Sequence, residues 1–251
     1  MLFQHNTDIL AKVVLEDGSV LRAKTNALPT MDSLFRDPQQ PNGGLLKLWA
    51  ENPLPGIVGT FNIRGASYSQ DKRTWVALEE EGQVPSVAGV LRPHDVHAFA
   101  SGGNTYASTS PQNRQCSHEK GGCTSESWKG GTDTYVVYLH QAGEVHILQS
   151  LGALHQDVPH LGFELATVSR VVVLPSLEDG TAKVGKHRDQ VRWAVVGLVD
   201  MFNSAAAVTA QELLIKVSQG GSTVPGVSML VKGSGRFQGV ASKAPKSVTL
   251  G

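Results

Sequence analysis

Short apolar runs separated by turn residues dominate the chain from residue 45 onwards. Residues 45–49 and 57–62 flank the turn-forming stretch 52–56, which is the pattern of a β-hairpin. Strands joined by turns, without regular crossover helices, predict a mainly β protein that folds as an antiparallel β-sandwich. The further predicted strands are 83–90, 95–100, 134–139, 144–149, 163–173, 191–199, 212–217, 227–232 and 237–241.

Helical patterns occur in two places only. Asn6 or Thr7 precedes apolar residues at positions 9, 10, 13 and 14, a spacing that predicts a helix over residues 6–15. Residues 204–215 begin with a serine and three alanines, so helix propensity favours a second helix there. The end of that span also carries a strand pattern, and the two predictions compete.

Two polar segments divide the chain. Residues 29–44 are rich in Pro, Asp, Gln, Asn and Gly, and they predict a loop that separates region 1–44 from region 45–251. Residues 101–133 are rich in Gly and Ser and have no periodicity, which predicts a surface insertion within the second region.

Composition narrows the classes of partner. The 251 residues carry 22 Lys and Arg against 22 Asp and Glu, so no net charge attracts nucleic acid or an anionic membrane surface. No apolar run has the roughly 18 residues of a membrane span, and polar residues interrupt the N-terminus where a secretory signal needs an apolar core. We therefore expect a neutral partner, with no nucleic acid and no membrane.

The cysteine loop is a weak metal candidate. Cys116, His118, Glu119 and Cys123 offer thiol, imidazole and carboxylate groups within eight residues. Their spacing matches no common zinc motif, since zinc sites pair ligands two to four residues apart and add a second distant pair. We predict a surface loop with no metal and no cofactor, and a loop disulfide is an equally weak alternative.

For two other motifs the sequence favours a structural role over a functional one. Asp95 and His97 would share one face of a strand, as a base and its orienting carboxylate do, but no nucleophile motif accompanies them. The glycines at 233, 235 and 239 follow a strand and lead to another strand, so they predict turns or a bulge instead of a nucleotide site.

The loop that joins the two regions carries the candidate binding residues. Asp32, Arg36 and Asp37 set two carboxylates and a guanidinium between the predicted helix and the predicted strands. Such groups bind sugar hydroxyls or pair with each other. No catalytic residue is predicted.

Several short motifs follow one another along nearly the whole chain outside 101–133 and part of 174–190. They include Asp17-Gly18-Ser19-Val20-Leu21-Arg22, Leu28-Pro29-Thr30, Leu34-Phe35, Asp37-Pro38, Phe61-Asn62, Asp95-Val96-His97, Gly143-Glu144, Gly197-Leu198-Val199-Asp200-Met201-Phe202-Asn203-Ser204 and Gly235-Arg236-Phe237. In this order they resemble the closing third of plant raffinose synthases, the galactinol–sucrose galactosyltransferases, and of the related seed imbibition proteins or alkaline alpha-galactosidases of glycoside hydrolase family 36.

The resemblance implies a fragment of a larger enzyme. Family members carry a catalytic (β/α)8 barrel followed by a C-terminal antiparallel sandwich, so residues 6–15 would be the last helix of a truncated barrel. Catalysis in the family is expected to be retaining, with two aspartates about 5–5.5 Å apart. Both belong to barrel strands, and neither the Lys-x-Asp motif of the nucleophile nor the Asp-Asp pair near the acid/base occurs in this sequence.

Two functions follow, beside the alternative of a structural remnant without activity that truncation or an incomplete gene model would produce. The first is the C-terminal part of a galactosyltransferase or alpha-galactosidase that acts on galactinol, sucrose or raffinose, with an upstream barrel as partner and a cytoplasmic or plastid location. The second is a stand-alone carbohydrate-binding β-sandwich without catalysis, which needs an exposed aromatic platform. Trp49 and Trp193 lie in apolar strands and are predicted core residues, which leaves Trp75 and Trp128 for a platform.

Overall fold

A computed structural model describes residues 7–40, 42–77, 86–100, 114–116, 133–174, 176–178, 181–183, 190–217 and 223–251. Three α-helices lie within these ranges: α1 Thr7–Ala11, α2 Met31–Phe35 and α3 His97–Ala100. Two 3-10 helices span Pro93–Asp95 and Ser204–Ala207. The strands are β1 Leu28–Pro29, β2 Leu46–Glu51, β3 Gly56–Phe61, β4 Ala66–Ser69, β5 Thr74–Ala77, β6 Val87–Leu91, β7 Arg114–Cys116, β8 Thr134–Leu139, β9 Glu144–Gln149, β10 Leu154–Val158, β11 Phe163–Arg170, β12 Val172–Val173, β13 Ser176–Glu178, β14 Thr181–Lys183, β15 Arg192–Leu198, β16 Val208–Val217, β17 Thr223–Val231 and β18 Phe237–Ala241.

A seven-stranded sheet forms the centre of the fold, in the order β1-β2-β3-β11-β8-β9-β7. Every pairing in it is antiparallel. The hairpin predicted over 45–62 is β2 and β3, with Leu46 opposite Phe61. The smaller β6-β10 and β12-β15-β18 sheets are antiparallel as well.

Both faces of the central sheet are covered. All six residues of β8 are buried, and successive side chains enter different cores. Val137 packs in a cluster with Leu91 and Leu154 of the β6-β10 sheet. Val136 packs in a second cluster with Val196 and Val240 of the β12-β15-β18 sheet. Because side chains alternate along a strand, one apolar run serves both interfaces, and the predicted mainly β, antiparallel sandwich is confirmed.

The N-terminal helix is shorter than the sequence predicted. α1 ends at Ala11, and Val14 instead forms an antiparallel bridge with Val20 across the turn at Gly18. Leu15 and Leu21 are buried in one cluster with Leu198, Met201, Ala206 and Ala207. Pairing Val14 with Val20 places both leucines in this cluster, and a helix through Leu15 would not allow that pairing. Whether α1 is the end of a barrel stays a prediction.

The predicted strand over 95–100 is wrong. The chain forms a 3-10 helix over Pro93–Asp95 followed by α3. Pro93 favours the first helical position, and the Asp95 carboxylate caps the turn by accepting a hydrogen bond from the Arg92 N–H at 2.8 Å. The local cap therefore outweighs the apolar alternation.

The predicted helix over 204–215 is also wrong after its first turn. Only Ser204–Ala207 is helical, and β16 begins at Val208. β16 pairs with β17 along its whole length, so backbone hydrogen bonds across the hairpin replace those of a helix. Ala205 and Ala207 are fully buried, which shows that the alanines serve close packing.

The predicted insertion at 101–133 lies outside the described residues, apart from β7 and Asp133. Among the described residues, no helix is long and apolar enough to cross a membrane.

Candidate functional site

Asp32 contacts a buried lysine. Lys47 lies on β2 and is only 3% exposed, and its Nζ is 2.7 Å from Asp32 Oδ2. The same ammonium donates to both Asp95 oxygens at 3.0 Å and to the Val90 carbonyl at 3.1 Å. One cation thus joins the connecting loop, β6 and the 3-10 helix. A buried ammonium requires such partners, because removal from water is costly without them.

Local hydrogen bonds fix the loop on β2. The Thr30 N–H donates to the Lys47 carbonyl at 3.0 Å, and the Lys47 N–H donates to Ser33 Oγ at 2.9 Å. Thr30 Oγ1 donates to Asp32 at the start of α2. These bonds hold α2 against the strand and direct Asp32 towards the ammonium.

The contacts of Asp32 favour its ionised form. Burial acts to raise the pKa of Asp32, but hydrogen bonds from Lys47 and Thr30 outweigh burial and hold that pKa below its usual range. A general acid needs a raised pKa. Asp32 is therefore equipped for ion pairing and not for donating a proton.

Arg36 and Asp37 lie in a separate groove. It has a volume of about 500 Å³ and its walls include Phe35 and Gln40. The Asp37 carboxylate accepts hydrogen bonds from the Gln39 N–H at 3.0 Å and from Gln40 Nε2 at 3.2 Å. Asp37 thus closes a local turn, and the structure does not join it to Asp32.

The predicted partnership of Asp95 with His97 has another explanation. The Asp95 carboxylate binds Lys47 and the Arg92 N–H, as described above. The His97 ring lies 4.7 Å from the Trp49 ring, centre to centre, and Trp49 is 8% exposed. Trp49 is thus the predicted core residue, and His97 packs against it.

The predicted metal and aromatic-platform residues lie largely outside the described residues. His118, Glu119, Cys123 and Trp128 are not described, and nor are the side chains of Cys116 and Trp75. Within the part of the chain that is described, no three His, Cys, Asp or Glu residues are grouped as metal ligands. Trp193 is half-buried and packs on Gly239, while Gly233 and Gly235 have positive φ, which confirms that these glycines serve turns and close packing.

A second pocket, the β8–β18 pocket, was not predicted from the sequence. Its volume is about 420 Å³, and its walls come from distant segments of the chain. They are Lys12, Tyr138, His140, Gly143, Val199, Asp200, Met201, Phe202, Arg236 and Gln238. Gly143, Asp200 and Arg236 belong to three of the sequence motifs described above, and these motifs were the sequence signal for this pocket.

Asp200 and Arg236 form the charged wall of this pocket. Asp200 Oδ1 accepts from Arg236 Nη2 at 2.6 Å and from Nε at 2.8 Å, while Oδ2 accepts from the Arg236 N–H at 2.9 Å. These bonds hold the pKa of Asp200 below its usual range. A Cβ on Gly235 would lie 3.3 Å from Asp200 Oδ2, so glycine permits this close approach.

His140 forms the inner wall. Its Nε2 is 3.0 Å from Thr167 Oγ1, which is 2.9 Å from Ser204 Oγ, which in turn donates to the Val196 carbonyl at 2.8 Å. Burial, with a smaller effect of the Lys12 charge, lowers the pKa of His140 to about 4. The imidazole is therefore neutral near pH 7.

Lys12 and Phe202 close the pocket on the side of α1. Lys12 Nζ lies 5.1 Å from the centre of the Phe202 ring, which is a cation–π contact. The Phe202 ring also meets Phe163 edge-on at 5.9 Å, centre to centre. The pocket can offer charged donors, a carboxylate acceptor and a fixed aromatic ring to a small ligand.

Comparison with known proteins gives one consistent result. The model of the family "Raffinose synthase or seed imbibition protein Sip1" matches residues 1–251. A probable galactinol–sucrose galactosyltransferase 6 of Arabidopsis thaliana is 30% identical over 97% of this chain and 27% of its own length. A galactinol–sucrose galactosyltransferase of Oryza sativa subsp. japonica is 28% identical over 96% and 25%, and a stachyose synthase of Pisum sativum is 26% identical over 98% and 24%. The chain spans about a quarter of the length of these relatives. Because the family model covers every residue of the chain, this protein belongs to the family of raffinose synthases and seed imbibition proteins.

Proposed function

We propose that this chain is the C-terminal β-sandwich of a raffinose-synthase-like enzyme that acts on neutral α-galactosides. The reaction is galactosyl transfer from galactinol to sucrose, or hydrolysis of an α-galactoside. The catalytic aspartates lie in a barrel domain outside this sequence. Membership of the family supports the proposal, as do relatives whose names give galactinol and sucrose as substrates and whose chains are about four times as long.

The proposal depends on one observation, which is that Lys47 forms ion pairs with both Asp32 and Asp95. A retaining glycosidase needs a free carboxylate and a protonated carboxyl group about 5–5.5 Å apart, with the sugar between them. Asp32 and Asp95 both bind Lys47, so an ammonium occupies the position that a sugar would need. The lowered pKa of Asp32 adds to this argument. The pair is suited to stabilising the fold and not to cleaving a glycosidic bond.

Exposed apolar side chains in the N-terminal region support a domain contact. Ile9 and Leu10 on α1 are 49% and 42% exposed, and Phe35 on α2 is 81% exposed. Exposed apolar side chains are typical of surfaces that another domain covers. The proposed barrel would cover side chains of this kind on α2, and the connecting loop would then lie at the seam between the domains.

Two assays test the proposal. The purified chain is incubated with p-nitrophenyl α-galactoside or with galactinol plus sucrose, and nitrophenol, galactose and raffinose are measured. We expect no product. A hybrid in which this chain replaces the matching quarter of the Arabidopsis relative is expected to release or transfer galactose, and D32N is expected to leave that reaction intact. Turnover by the chain alone that D32N or D37N abolishes would refute the proposal.

A further inference from the structure

We propose that the β8–β18 pocket binds one residue of a neutral saccharide through adjacent hydroxyl groups. The inference concerns binding by this chain alone, and it deepens the proposed function by naming where the β-sandwich would hold sugar.

The pocket has the size of a small-ligand site. Its volume of about 420 Å³ falls within the range of roughly 300–1,000 Å³ that is usual for such sites. Its walls combine polar groups with the side chains of Val199, Met201 and Phe202. A sugar ring has the same combination, since it carries hydroxyls at its rim and C–H groups on its faces.

Asp200 and Arg236 present a donor and an acceptor side by side. A guanidinium has five N–H donors, and the side-chain bonds to Asp200 use those of Nε and Nη2. The Asp200 carboxylate has about four acceptor positions, and bonds from Arg236 occupy three of them. Arg236 is 80% exposed and Asp200 is 42% exposed, so water reaches both. A pair of neighbouring hydroxyls, each able to donate and accept, matches this arrangement.

The inner wall adds uncharged hydrogen-bonding groups. The Tyr138 hydroxyl is protonated near pH 7, and burial raises its pKa further. His140 is neutral near pH 7 because burial lowers its pKa to about 4. The two rings meet edge-on at 4.8 Å, which fixes their positions. Groups of this kind orient hydroxyls without requiring a charged ligand.

The charged groups of the pocket have partners within it. Asp200 pairs with Arg236 at 2.6 Å, and the Lys12 ammonium lies over the face of the Phe202 ring. An anion would be attracted by Lys12 and Arg236 but repelled by the Asp200 carboxylate beside them. A neutral polyol can hydrogen-bond to all three groups without this repulsion.

Chemical-shift mapping of the whole ¹⁵N-labelled chain tests the inference. Galactose, sucrose and raffinose are the neutral probes, and inorganic phosphate is the anionic probe. We expect at least one sugar to shift the amide signals of residues 138–143, 199–202 and 236–238, with Kd on the order of 1 mM or weaker. Phosphate is expected to leave these signals unchanged.

Matched arginine variants provide the control. R236Q removes one of the two charged donors of the pocket and is expected to weaken sugar binding about tenfold, which is the usual effect of losing a charge-assisted hydrogen bond. R170Q breaks a comparable exposed ion pair, that of Arg170 with Asp133 at 3.0 Å, outside the walls of the pocket and is expected to leave Kd unchanged. Because the spectra also report folding, Y138F replaces R236Q if that variant is unfolded, and it is expected to weaken binding as well.

Three outcomes would overturn the inference. They are the absence of shifts with every sugar, shifts caused by phosphate alone, and sugar shifts that R170Q reduces as much as R236Q. None of them would refute the proposed function, because the hybrid enzyme reports galactosyl transfer independently of this pocket. Conversely, sugar binding by a chain whose hybrid is inactive would support the inference by itself.

Discussion

Protonation of His140 is expected to destabilise the fold at acidic pH. The ring lies at the end of β8 and is hydrogen-bonded to Thr167, which connects it to Ser204 and the Val196 carbonyl. Burial lowers the pKa of His140 from 6.5 to about 4, with a smaller contribution from the Lys12 charge. A buried imidazole beside an ammonium resists taking up a proton, whereas the same histidine in the unfolded chain takes it up readily.

The sign and size follow from linkage. Between pH 6.5 and about 4 the unfolded chain binds a proton at His140 and the folded chain does not, so stability falls as the pH falls through this window. Above the unfolded value both states are neutral, and the contribution of His140 to stability is complete. The difference between the folded and the unfolded pKa of His140 corresponds to a loss of about 3 kcal/mol in the free energy of unfolding at the acidic end of the window.

Urea unfolding at about pH 7 and pH 4.5 measures this effect. H140Q removes the titrating group and keeps an amide that can reach Thr167. Between pH 7 and pH 4.5 we therefore expect the free energy of unfolding of H140Q to fall by about 2–3 kcal/mol less than that of the wild type. H155Q makes the same change at an exposed position of β10 and is expected to follow the wild type. His146, whose pKa burial also lowers, leaves a residual slope in H140Q.

An equal loss of stability in H140Q and the wild type would refute this reasoning, because the pH dependence would then arise elsewhere. Wild-type stability that is the same at both pH values would refute it as well.

Three other measurements check the structural argument. The K47A substitution leaves the Asp95 carboxylate buried without its cation and is expected to cost about 3 kcal/mol in urea unfolding, whereas D32N, at a side chain 56% exposed, is expected to cost less than about 1 kcal/mol. G197A would place a Cβ 2.0 Å from a backbone oxygen of the second 3-10 helix at φ +104°, and we expect a loss of about 3 kcal/mol or more in the same assay. G18A, at φ +78° in open space, is expected to cost only about 1 kcal/mol. Equal losses of stability in G18A and G197A would contradict the close approach of residue 197 to the second 3-10 helix. The ¹⁵N shifts of His140 near pH 7 are expected to show a proton on Nε2. Ser204 donates its only hydroxyl proton to the Val196 carbonyl, so Thr167 must donate to Ser204. Thr167 can then only accept a hydrogen bond from the imidazole, which requires a proton on Nε2.

The strands could be predicted because their signals are local. β8 and β9 begin and end where the sequence placed them, since each is a short, mainly apolar or β-branched run bounded by polar turn residues. The short α1 and the 3-10 helix at Ser204 could not be predicted in the same way. Their ends depend on the Val14–Val20 bridge and on the β16–β17 pairing, which join residues that no local pattern relates.

The candidate residues show the same division between local and distant signals. Their clustering near one loop drew attention to Asp32, Arg36 and Asp37, but what each residue does depends on its partner. Asp32 binds Lys47, whereas Asp37 completes a turn with Gln39 and Gln40. A lysine in an apolar strand gave no local sign that two carboxylates would meet it.

The β8–β18 pocket shows why motifs far apart in the sequence depend on one another. Gly197 has φ +104° and lies at a register shift between β15 and β18, so the chain beyond it turns towards the second 3-10 helix and brings Asp200 to the surface. Gly235 has φ +127° and permits the Arg236 N–H to reach Asp200. Each glycine therefore positions one member of the ion pair, and neither position tolerates a side chain without strain. Because the Asp200–Arg236 pair is largely exposed, it adds little to the stability of the fold. The two glycines thus position an ion pair that contributes little to folding, which agrees with the proposed binding role of the pocket.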